Sequence, residues 1–271
     1  MSMETRTVGE CFYQIRNGAN IKQGVVSGGY PITRIETTAN DRFNRDRMGY
    51  AGITELSKYE SYVLEDGDLL MSHINSLQYL GRTVLYEKQE GEIIIHGMNL
   101  LGLKANRDII NPAFARYYFY SHYFKEQLVR ITKKSVNQAS FTVADLRTLK
   151  IIVPSLEEQA AIVKTLDKAN SLIDMRNKEL MTLDCLIKAR FVEMFGDPIR
   201  NEKGWHVISL LDSLEDGRTV SYGIVQTGDD FENGVPVFRP VDIAGGHIPK
   251  RKELKQTDPK IFAQYKRIQP Q

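Results

Sequence analysis

The segment LRTLKIIVPSLEEQAAIVKTLD, residues 146–167, carries the strongest structural signals in the chain. Ser155 and Glu158 form an S-x-x-E pattern, in which the serine oxygen caps a free backbone N–H and the glutamate reaches back to the cap. Nothing breaks the helical pattern until Gly196, and Pro198 follows, which is a strong helix stop. The sequence therefore predicts a strand over 146–153 and then a helix over 156–195, within the region 154–197. At ~1.5 Å per residue this helix is roughly 60 Å long.

Apolar residues recur along this helix at spacings of three and four. They are Ile162, Leu166, Ala169, Ile173, Leu180, Leu183, Ile187 and Met194, with Arg176 and Arg190 at two skipped positions. Such a narrow stripe is typical of a coiled-coil seam, which needs a partner helix. Because the sequence shows no second helix of this kind, we expect the seam to pair with another chain or another segment. The alternative is a long helix that packs on its own domain.

Composition places the chain among globular proteins of one or two domains. Its 271 residues are 42% hydrophobic and 26% charged, with a net charge of +2. The sequence has no apolar run long enough for a membrane span and no signal peptide, so we expect a cytoplasmic protein. Two distant cysteines, Cys11 and Cys185, and five scattered histidines give no spacing for a metal site, and we expect none.

The region before the long helix has the pattern of one mixed domain. Strands are predicted within 62–74, 81–87 and 92–105, where β-branched and apolar residues follow turn signals. A helix is predicted over 111–132, with Asn111 as its cap and Pro112 in its first turn. The letters NPAF at 111–114 also invite comparison with the N-P-P-F/Y loop of amino-methyltransferases. A DNA methyltransferase is thus an alternative, although no glycine-rich cofactor loop accompanies the motif.

An internal repeat links the two ends of the chain. In GYPITRI, residues 29–35, Gly, Pro and Arg stand at the same relative positions as in GVPVFRP, residues 234–240. Two glycines upstream of each stretch match at a similar offset. If the repeat is real, residue 271 corresponds to about Asp66. We then expect the second copy to hold only the first third of a domain, with the strand-forming piece of the first copy repeated at GVPVFRP.

Three polar stretches could contact nucleic acid, since each combines fixed positive charge for phosphates with groups that read base edges. The candidates are Arg34, Arg42, Arg45 and Arg47 in residues 33–47, Asn75 and Arg82 in residues 72–82, and Lys133, Lys134, Asn137 and Gln138 in residues 130–141. The alternative for each stretch is an ordinary solvated loop. The overall charge does not decide between them, because a strongly basic nucleic-acid binder would look different.

The strand–proline–helix junction resembles the signature of the specificity subunits of type I restriction–modification systems. The matching positions are Leu149, Ile151, Pro154, Leu156, Glu158, Gln159 and Ile162. LIKARFVEMFGDP, residues 186–198, is similar to the end of the conserved helix in that family, and DGDLLMS, YLGRTVLY and INPAFARYYFYS are similar to its recognition domains. The resemblance covers nearly the whole chain.

This resemblance implies an α/β (α+β) target-recognition domain at 1–153, a conserved coiled-coil-type helix at 154–197 and the incomplete start of a second recognition domain at 205–271. It implies a non-catalytic subunit that reads one half of a two-part DNA site and docks modification subunits through its long helix. S-adenosylmethionine and ATP would be held by partner subunits, so we expect no cofactor here. The implied partners are double-stranded DNA, modification and restriction subunits, and a second copy pairing through the helix. The main alternative is a protein-interaction module that contacts no DNA.

Overall fold

The computed structural model describes residues 4–22, 25–26, 28–136, 138–217, 220, 222–244, 246 and 249–265. Its elements are β1 (Glu4–Thr7), α1 (Val8–Cys11), β2 (Phe12–Asn17), β3 (Val25–Val26), β4 (Tyr50–Ala51), β5 (Leu69–Ser72), β6 (Ile74–Asn75), β7 (Thr83–Leu85), β8 (Leu100–Ala105), α2 (Pro112–Tyr120), α3 (His122–Ile131), β9 (Lys133–Lys134), β10 (Ala139–Ser140), α4 (Val143–Thr148), β11 (Lys150–Val153), α5 (Leu156–Phe195), β12 (Val235–Val237), α6 (Pro240–Ile243), β13 (Lys255–Thr257) and α7 (Pro259–Gln264). Short 3₁₀ helices cover Ile35–Asp41, Arg45–Arg47, Ser57–Tyr62, Leu77–Tyr79 and Arg251–Glu253.

The chain divides into two compact units, Met1–Asp184 and Cys185–Gln271, so that α5 contributes to both. This division follows the compactness of the backbone and falls inside the long helix. The division predicted from the sequence, into residues 1–153, 154–197 and 205–271, follows the resemblance instead and stays a prediction.

The first unit is built on a four-stranded antiparallel sheet in the order β2–β8–β5–β7. Both faces of this sheet are covered, which explains the unbroken apolar run in β5. Leu69 and Met71 face the main core with Phe119, whereas Leu70 faces a smaller cluster around Tyr86. Since full burial of one such side chain is worth about 1.5–3 kcal/mol, these residues fix β5 at the centre of the unit.

The helices α1 to α4 and the pair β1–β11 complete this unit, and here two predicted boundaries are wrong. The helix predicted over 111–132 is two helices, because Ser121 is extended (φ −64°, ψ 149°) and its hydroxyl accepts from the backbone N–H of Phe124. The strand predicted from Leu146 begins only at Lys150, because Thr142 caps α4 through the N–H of Asp145. In both places a cap residue decides the structure, in keeping with its general role. The strand predicted within 92–105 occupies only Leu100–Ala105.

The long helix and its cap are confirmed. The backbone N–H of Ser155 donates to Glu158 Oε2 at 3.1 Å, and the N–H of Glu158 donates to Ser155 Oγ at 3.3 Å. The helix α5 runs without interruption to Phe195, and Gly196 follows with φ +78°, the left-handed conformation that ends helices. No helix of the described residues is long and apolar enough to cross a membrane.

The second unit contains the second copy of the repeat. In the first copy Ile32 bridges Gly49 antiparallel, and in the second copy β12 pairs antiparallel with β13. The short 3₁₀ helices Arg45–Arg47 and Arg251–Glu253 precede the partner strand in the two copies. A strand was expected in both GYPITRI and GVPVFRP, but only the second forms one, at Val235–Val237, while the first has an isolated bridge at Ile32.

Close backbone contacts explain why both copies of the repeat have glycine at the first position of the Gly-x-Pro pattern. A Cβ on Gly29 would lie 2.4 Å from the carbonyl oxygen of Ile53, and a Cβ on Gly234 would lie 2.4 Å from that of Thr257. Both positions therefore exclude any side chain, because the neighbouring atom is backbone. The arginine of each copy is also held in the same way, since its backbone N–H donates to a side chain three residues later. Arg34 donates to Thr37 Oγ1, and Arg239 donates to Asp242 Oδ2.

Candidate nucleic-acid interface

A small three-stranded sheet, in the order β6–β10–β9, continues from the end of β5. Ala139 of β10 stands opposite Asn75 on one side and Lys134 on the other, and Ser140 stands opposite Lys133. The backbone N–H of Phe141 donates to the carbonyl of His73, which anchors this sheet beside the main one. The structure thus brings Asn75, Lys133 and Lys134, predicted from distant parts of the sequence, onto one short sheet.

The hairpin between β9 and β10 presents its charge to solvent. Lys133 and Lys134 are exposed, and within the described part of the chain neither forms an ion pair with a carboxylate. The N–H of Ser135 donates to the carbonyl of Gln138 at 2.7 Å, which closes the turn and leaves the exposed Gln138 side chain outside it. Val136 at the tip is 99% exposed. The candidate Asn137 lies outside the described residues.

The 3₁₀ turn Leu77–Tyr79 follows β6 and adds exposed apolar groups next to this hairpin. The Asn75 side chain holds the start of the turn, since its Oδ1 accepts from the N–H of Ser76 at 2.8 Å and its Nδ2 donates to Ser72 Oγ at 3.2 Å. We use the name hairpin surface for Asn75, the turn Leu77–Tyr79, Lys133, Lys134 and Gln138.

The arginines of residues 33–47 have different surroundings. Arg45 forms a two-pronged ion pair with Glu92, with Nε–Oε1 at 2.7 Å and Nη2–Oε2 at 2.9 Å. Its guanidinium lies over the rings of Phe43 and Tyr86, at 5.2 and 5.9 Å from their centroids. The hydrogen bond from Arg45 lowers the pKa of Glu92 to about 2, with help from the N–H of Gln89 and the Tyr86 hydroxyl. Arg45 therefore holds the loop to the domain.

Two further candidates are also engaged within the first unit. Arg82 pairs with Asp41, at 2.9 Å from Nε to Oδ1, and stacks over Tyr79. Arg42 donates to Asp174 of α5. Asn40 and Asp41 both have positive φ, of 58° and 57°, so this turn is strained. The ion pair of Arg82 with Asp41 stabilises it.

The last two candidates of this loop, Arg34 and Arg47, are fixed through their backbones. The N–H of Arg34 donates to Thr37 Oγ1 at 2.8 Å, and the carbonyl of Arg47 accepts from the same hydroxyl at 3.2 Å. The Arg47 side chain is exposed and that of Arg34 is partly buried. The structure therefore gives the loop one exposed arginine head that forms no ion pair among the described residues, and the role of both residues at DNA stays a prediction.

His73 belongs to the polar stretch of residues 72–82 that could contact nucleic acid, but it is not among the candidates chosen from it. It connects β5 to β6, is 6% exposed and packs edge-on against Phe141. Its Nδ1 has no hydrogen-bond partner among the described residues, and burial lowers its pKa. Its burial could not be predicted from the sequence, because it depends on packing against Phe141, which is distant in the chain.

Asn111 fills the role of a helix cap. Its Oδ1 accepts from the N–H groups of Ala113 and Phe114, at 2.9 and 3.4 Å, and its own N–H donates to Gln159. The NPAF motif is therefore the start of α2, as the cap prediction states, and its asparagine amide is committed to that helix. Among the described residues no group of His, Cys, Asp or Glu is arranged to hold a metal ion.

The seam predicted on α5 is exposed along its whole length. Its larger apolar side chains, those of Ile162, Leu166, Ile173, Leu180, Leu183, Ile187 and Met194, are between 37% and 68% exposed, and Ala169 is exposed as well. The alternative, in which the seam packs on its own domain, is not what the structure shows. Arg176 and Arg190 at the skipped positions pair with Glu179 and Glu193 on the same helix.

Comparison with known proteins identifies the family. The family model described as "Type I restriction modification DNA specificity domain" matches residues 2–183. A Methanocaldococcus jannaschii protein, named as a candidate type I restriction enzyme MjaX specificity subunit, is 34% identical over 221 residues, which cover 81% of this chain and 52% of the relative. The type I restriction enzyme EcoKI specificity subunit of Escherichia coli strain K12 is 23% identical over 168 residues, which cover 62% of this chain and 36% of the relative. The chain thus spans about half the length of the first relative.

One solved structure shares the fold. It is a chain of the structure described as "Structural basis underlying complex assembly and conformational transition of the type I R-M system", with a TM-score of 0.50 and 20% identity, covering 69% of this chain and 43% of that one. Because the family model matches residues 2–183, which include the junction at Pro154, the assignment does not depend on this likeness. The chain belongs to the family of type I restriction–modification DNA specificity domains.

Proposed function

We propose that this chain is a DNA-recognition subunit of a type I restriction–modification enzyme and reads one half of a two-part site with its hairpin surface. The observation that carries the proposal is the sheet β6–β10–β9, in which Asn75 and the exposed pair Lys133 and Lys134 lie on the two strands that flank β10. A two-stranded ribbon fits the major groove of duplex DNA. The family and its named relatives support the assignment of DNA as the ligand.

The lysines and the amide side chain on this surface would have different roles in DNA recognition. Lysine ammonium groups at Lys133 and Lys134 would neutralise phosphates, which gives affinity without sequence preference. The Gln138 amide has both a donor and an acceptor to offer, the combination that reads adenine in the major groove. The exposed ring of Tyr79, with Arg82 stacked on it, would add contacts to sugars or base edges.

The proposal extends to the partners of the long helix. We propose that the exposed seam of α5 docks modification subunits, which join restriction subunits in the full enzyme, and that it can pair antiparallel with the seam of a second copy. In this proposal the chain performs no catalysis, S-adenosylmethionine and ATP are bound by the partner subunits, and the complex works in the cytoplasm. The apolar exposure of the seam supports a helical partner, since a single stripe of this kind is stabilised by burial against another helix.

A binding titration of the purified chain against mixed-sequence duplexes at two salt concentrations tests the DNA assignment. We expect measurable binding that weakens steeply as salt rises, because released counterions drive phosphate contacts. The same titration with modification subunits present covers the case in which a stable complex is needed. Binding that is absent or insensitive to salt in both experiments would favour the protein-interaction module.

Sedimentation of seam variants tests the helix. Ile173→Glu with Leu180→Glu places charge on the seam, and we expect it to abolish both self-association and the docking of modification subunits. Lys178→Glu is the control, since this exposed residue of the same helix lies on a different face. Equal association of all three proteins would overturn the proposed role of the seam.

A further inference from the structure

One side of α5 is fixed to the first unit by a row of mostly polar contacts. The row consists of Gln159, Val163, Asp167, Asn170 and Asp174, which follow one another at helical spacings of three and four. It lies roughly 100° around the helix from the seam, by the 3.6-residue turn of an α-helix. The long helix therefore has two separate faces, one toward its own unit and one toward solvent.

Gln159 is the first residue of this row and the most deeply buried. It is 0% exposed and is the buried residue of α5, although it is a polar residue near the beginning of a solvent-exposed helix. Its Nε2 donates to the carbonyls of Ile109 and Pro154, at 3.0 and 2.9 Å, and its Oε1 accepts from the N–H of Asn111 at 2.7 Å. The amide thus joins the entry to α5 with the entry to α2, and both of its N–H groups and its oxygen form hydrogen bonds.

The later contacts of the row continue in the same direction along the helix. The Tyr117 hydroxyl donates to Asp167 Oδ1 at 2.6 Å and accepts from Asn170 Nδ2 at 2.8 Å. Arg42 then donates to Asp174. Two elements that are far apart in the sequence, α2 and the loop of residues 33–47, are in this way held against about four turns of α5.

We propose that Gln159 is a positioning residue that sets the direction of α5 relative to the hairpin surface. The row of contacts makes the first unit and the beginning of α5 one rigid body, and Gln159 is its fixed point, because both chain segments that enter the joint bind to its amide. This inference rests on the proposed function for its biological meaning. In two copies paired through the seam, a change of direction at Gln159 would alter the spacing between the two DNA half-sites that the copies read.

Pulsed dipolar spectroscopy between two spin labels tests the joint without DNA. Glu90→Cys and Lys178→Cys, both at exposed sites, provide the labels, and Cys185→Ser removes the exposed native thiol. We expect one narrow distance distribution in the parent, and a distribution at least twice as wide in Gln159→Met, which keeps the size of the side chain and loses its hydrogen bonds. Gln127→Ala is the matched control, because Gln127 makes a similar pair of bonds to the backbone of Lys150 away from α5. An unchanged distribution in Gln159→Met would overturn the proposal.

A second variant and a second measurement keep the outcome decisive. If Gln159→Met does not fold, as judged by circular dichroism, then Tyr117→Phe, which removes the hydroxyl between Asp167 and Asn170, must broaden the distribution, or the proposal fails.

Selection of bound sequences from random duplexes, with modification subunits present, tests the effect of Gln159 on DNA recognition. We expect Gln159→Met to recover the same half-site sequences as the parent with a wider range of spacings, and an unchanged spacing preference would also contradict the proposal. If the parent itself selects no sequence, the proposed function fails, whereas the label distances still decide the role of Gln159.

Discussion

The loop of residues 33–47 and the hairpin of residues 133–138 look alike in the sequence, because both are polar, basic and follow an ordered element. In the structure they differ. Arg45 and Arg42 of the loop are paired with Glu92 and Asp174, whereas Lys133 and Lys134 of the hairpin point into solvent. Basic side chains therefore have two kinds of surroundings in this protein, and what separates them is the position of carboxylates that are distant in the chain.

Side-chain chemistry agrees with this division. Arginine has a planar fork that matches a carboxylate with two hydrogen bonds and stacks on aromatic rings, and Arg45 does both. Lysine is a hydrated point charge on a flexible stem, which suits a phosphate whose position varies along the duplex. The internal pairs of the loop join it to the rest of the first unit, whereas the exposed charge of the hairpin is what the proposed DNA contact requires.

The largest expected effect concerns the hairpin. We expect Lys133→Gln with Lys134→Gln to weaken DNA binding by about 60-fold at 0.1 M salt and to lower the slope of log K against log salt by about 2, since each phosphate contact contributes about 0.9 to that slope. Fluorescence anisotropy with mixed duplexes over a salt series measures both values. Lys164→Gln with Lys168→Gln, on α5, changes the net charge equally and should leave the slope intact. A parent-like slope in the hairpin variant would remove it from the interface.

Substitution of Arg45 in the loop should lower the stability of the folded protein. Arg45→Leu leaves Glu92, whose side chain is only 13% exposed, without its partner. Breaking a fully buried pair lowers the free energy of unfolding by about 3–5 kcal/mol. Because Arg45 is partly exposed, we expect a smaller loss of about 2 kcal/mol. Urea denaturation measures the loss, and Arg47→Leu, at an exposed neighbour, should change stability by less than about 0.5 kcal/mol. Equal losses in the two variants, or a large loss of DNA affinity in folded Arg45→Leu, would contradict the division of roles.

Much of the fold follows from local sequence signals, and the exceptions have a physical cause. The S-x-x-E box at Ser155 and the stop at Gly196 act within a few residues, so the bounds of α5 could be predicted. The caps at Thr142 and Ser121 are equally local, but a strongly apolar or helical pattern runs through each of them. The periodicity therefore hides both caps, and the sequence predicts one element where the structure has two.

The site could be predicted only as a set of candidates. Nothing near Arg45 in the sequence indicates Glu92, and nothing near Asn75 indicates that β10 will pair with β6 on one side and with β9 on the other. The Arg45–Glu92 pair joins residues 47 positions apart, and the pairing of β10 with β6 is likewise a contact between distant parts of the chain, whereas the pairing of β10 with β9 is a local hairpin. The role of Gln159 is of the same kind, since its partners Ile109 and Asn111 are fixed by the packing of α2.

A smaller effect separates the two amides of the hairpin surface. The Asn75 side chain is already bound to Ser72 and Ser76, whereas only the backbone carbonyl of Gln138 is used in the turn. We therefore expect Gln138→Ala to reduce the preference for the target over unrelated duplexes by about 5- to 10-fold, because a bidentate amide contact is worth about 1–3 kcal/mol. Its salt slope should match the parent. Competition binding with selected and scrambled duplexes measures the preference, and an unchanged ratio would mean that Gln138 reads no base.

The smallest effect is the response of the loop to acid. The pKa of Glu92 is lowered from 4.5 to about 2 by Arg45, so the ionised carboxylate is favoured in the folded state. Its contribution to stability is present above pH 4.5 and is lost as the pH falls toward 2. We expect Glu92→Gln to be less stable than the parent by about 1 kcal/mol at pH 7, the scale of one hydrogen bond to a charged group. This difference should shrink between pH 4.5 and 2, because the parent then becomes neutral at the same position. Glu90→Gln, at an exposed neighbour, should follow the parent throughout, and a Glu92→Gln difference that is constant with pH would show that the Arg45 pair does not hold the loop.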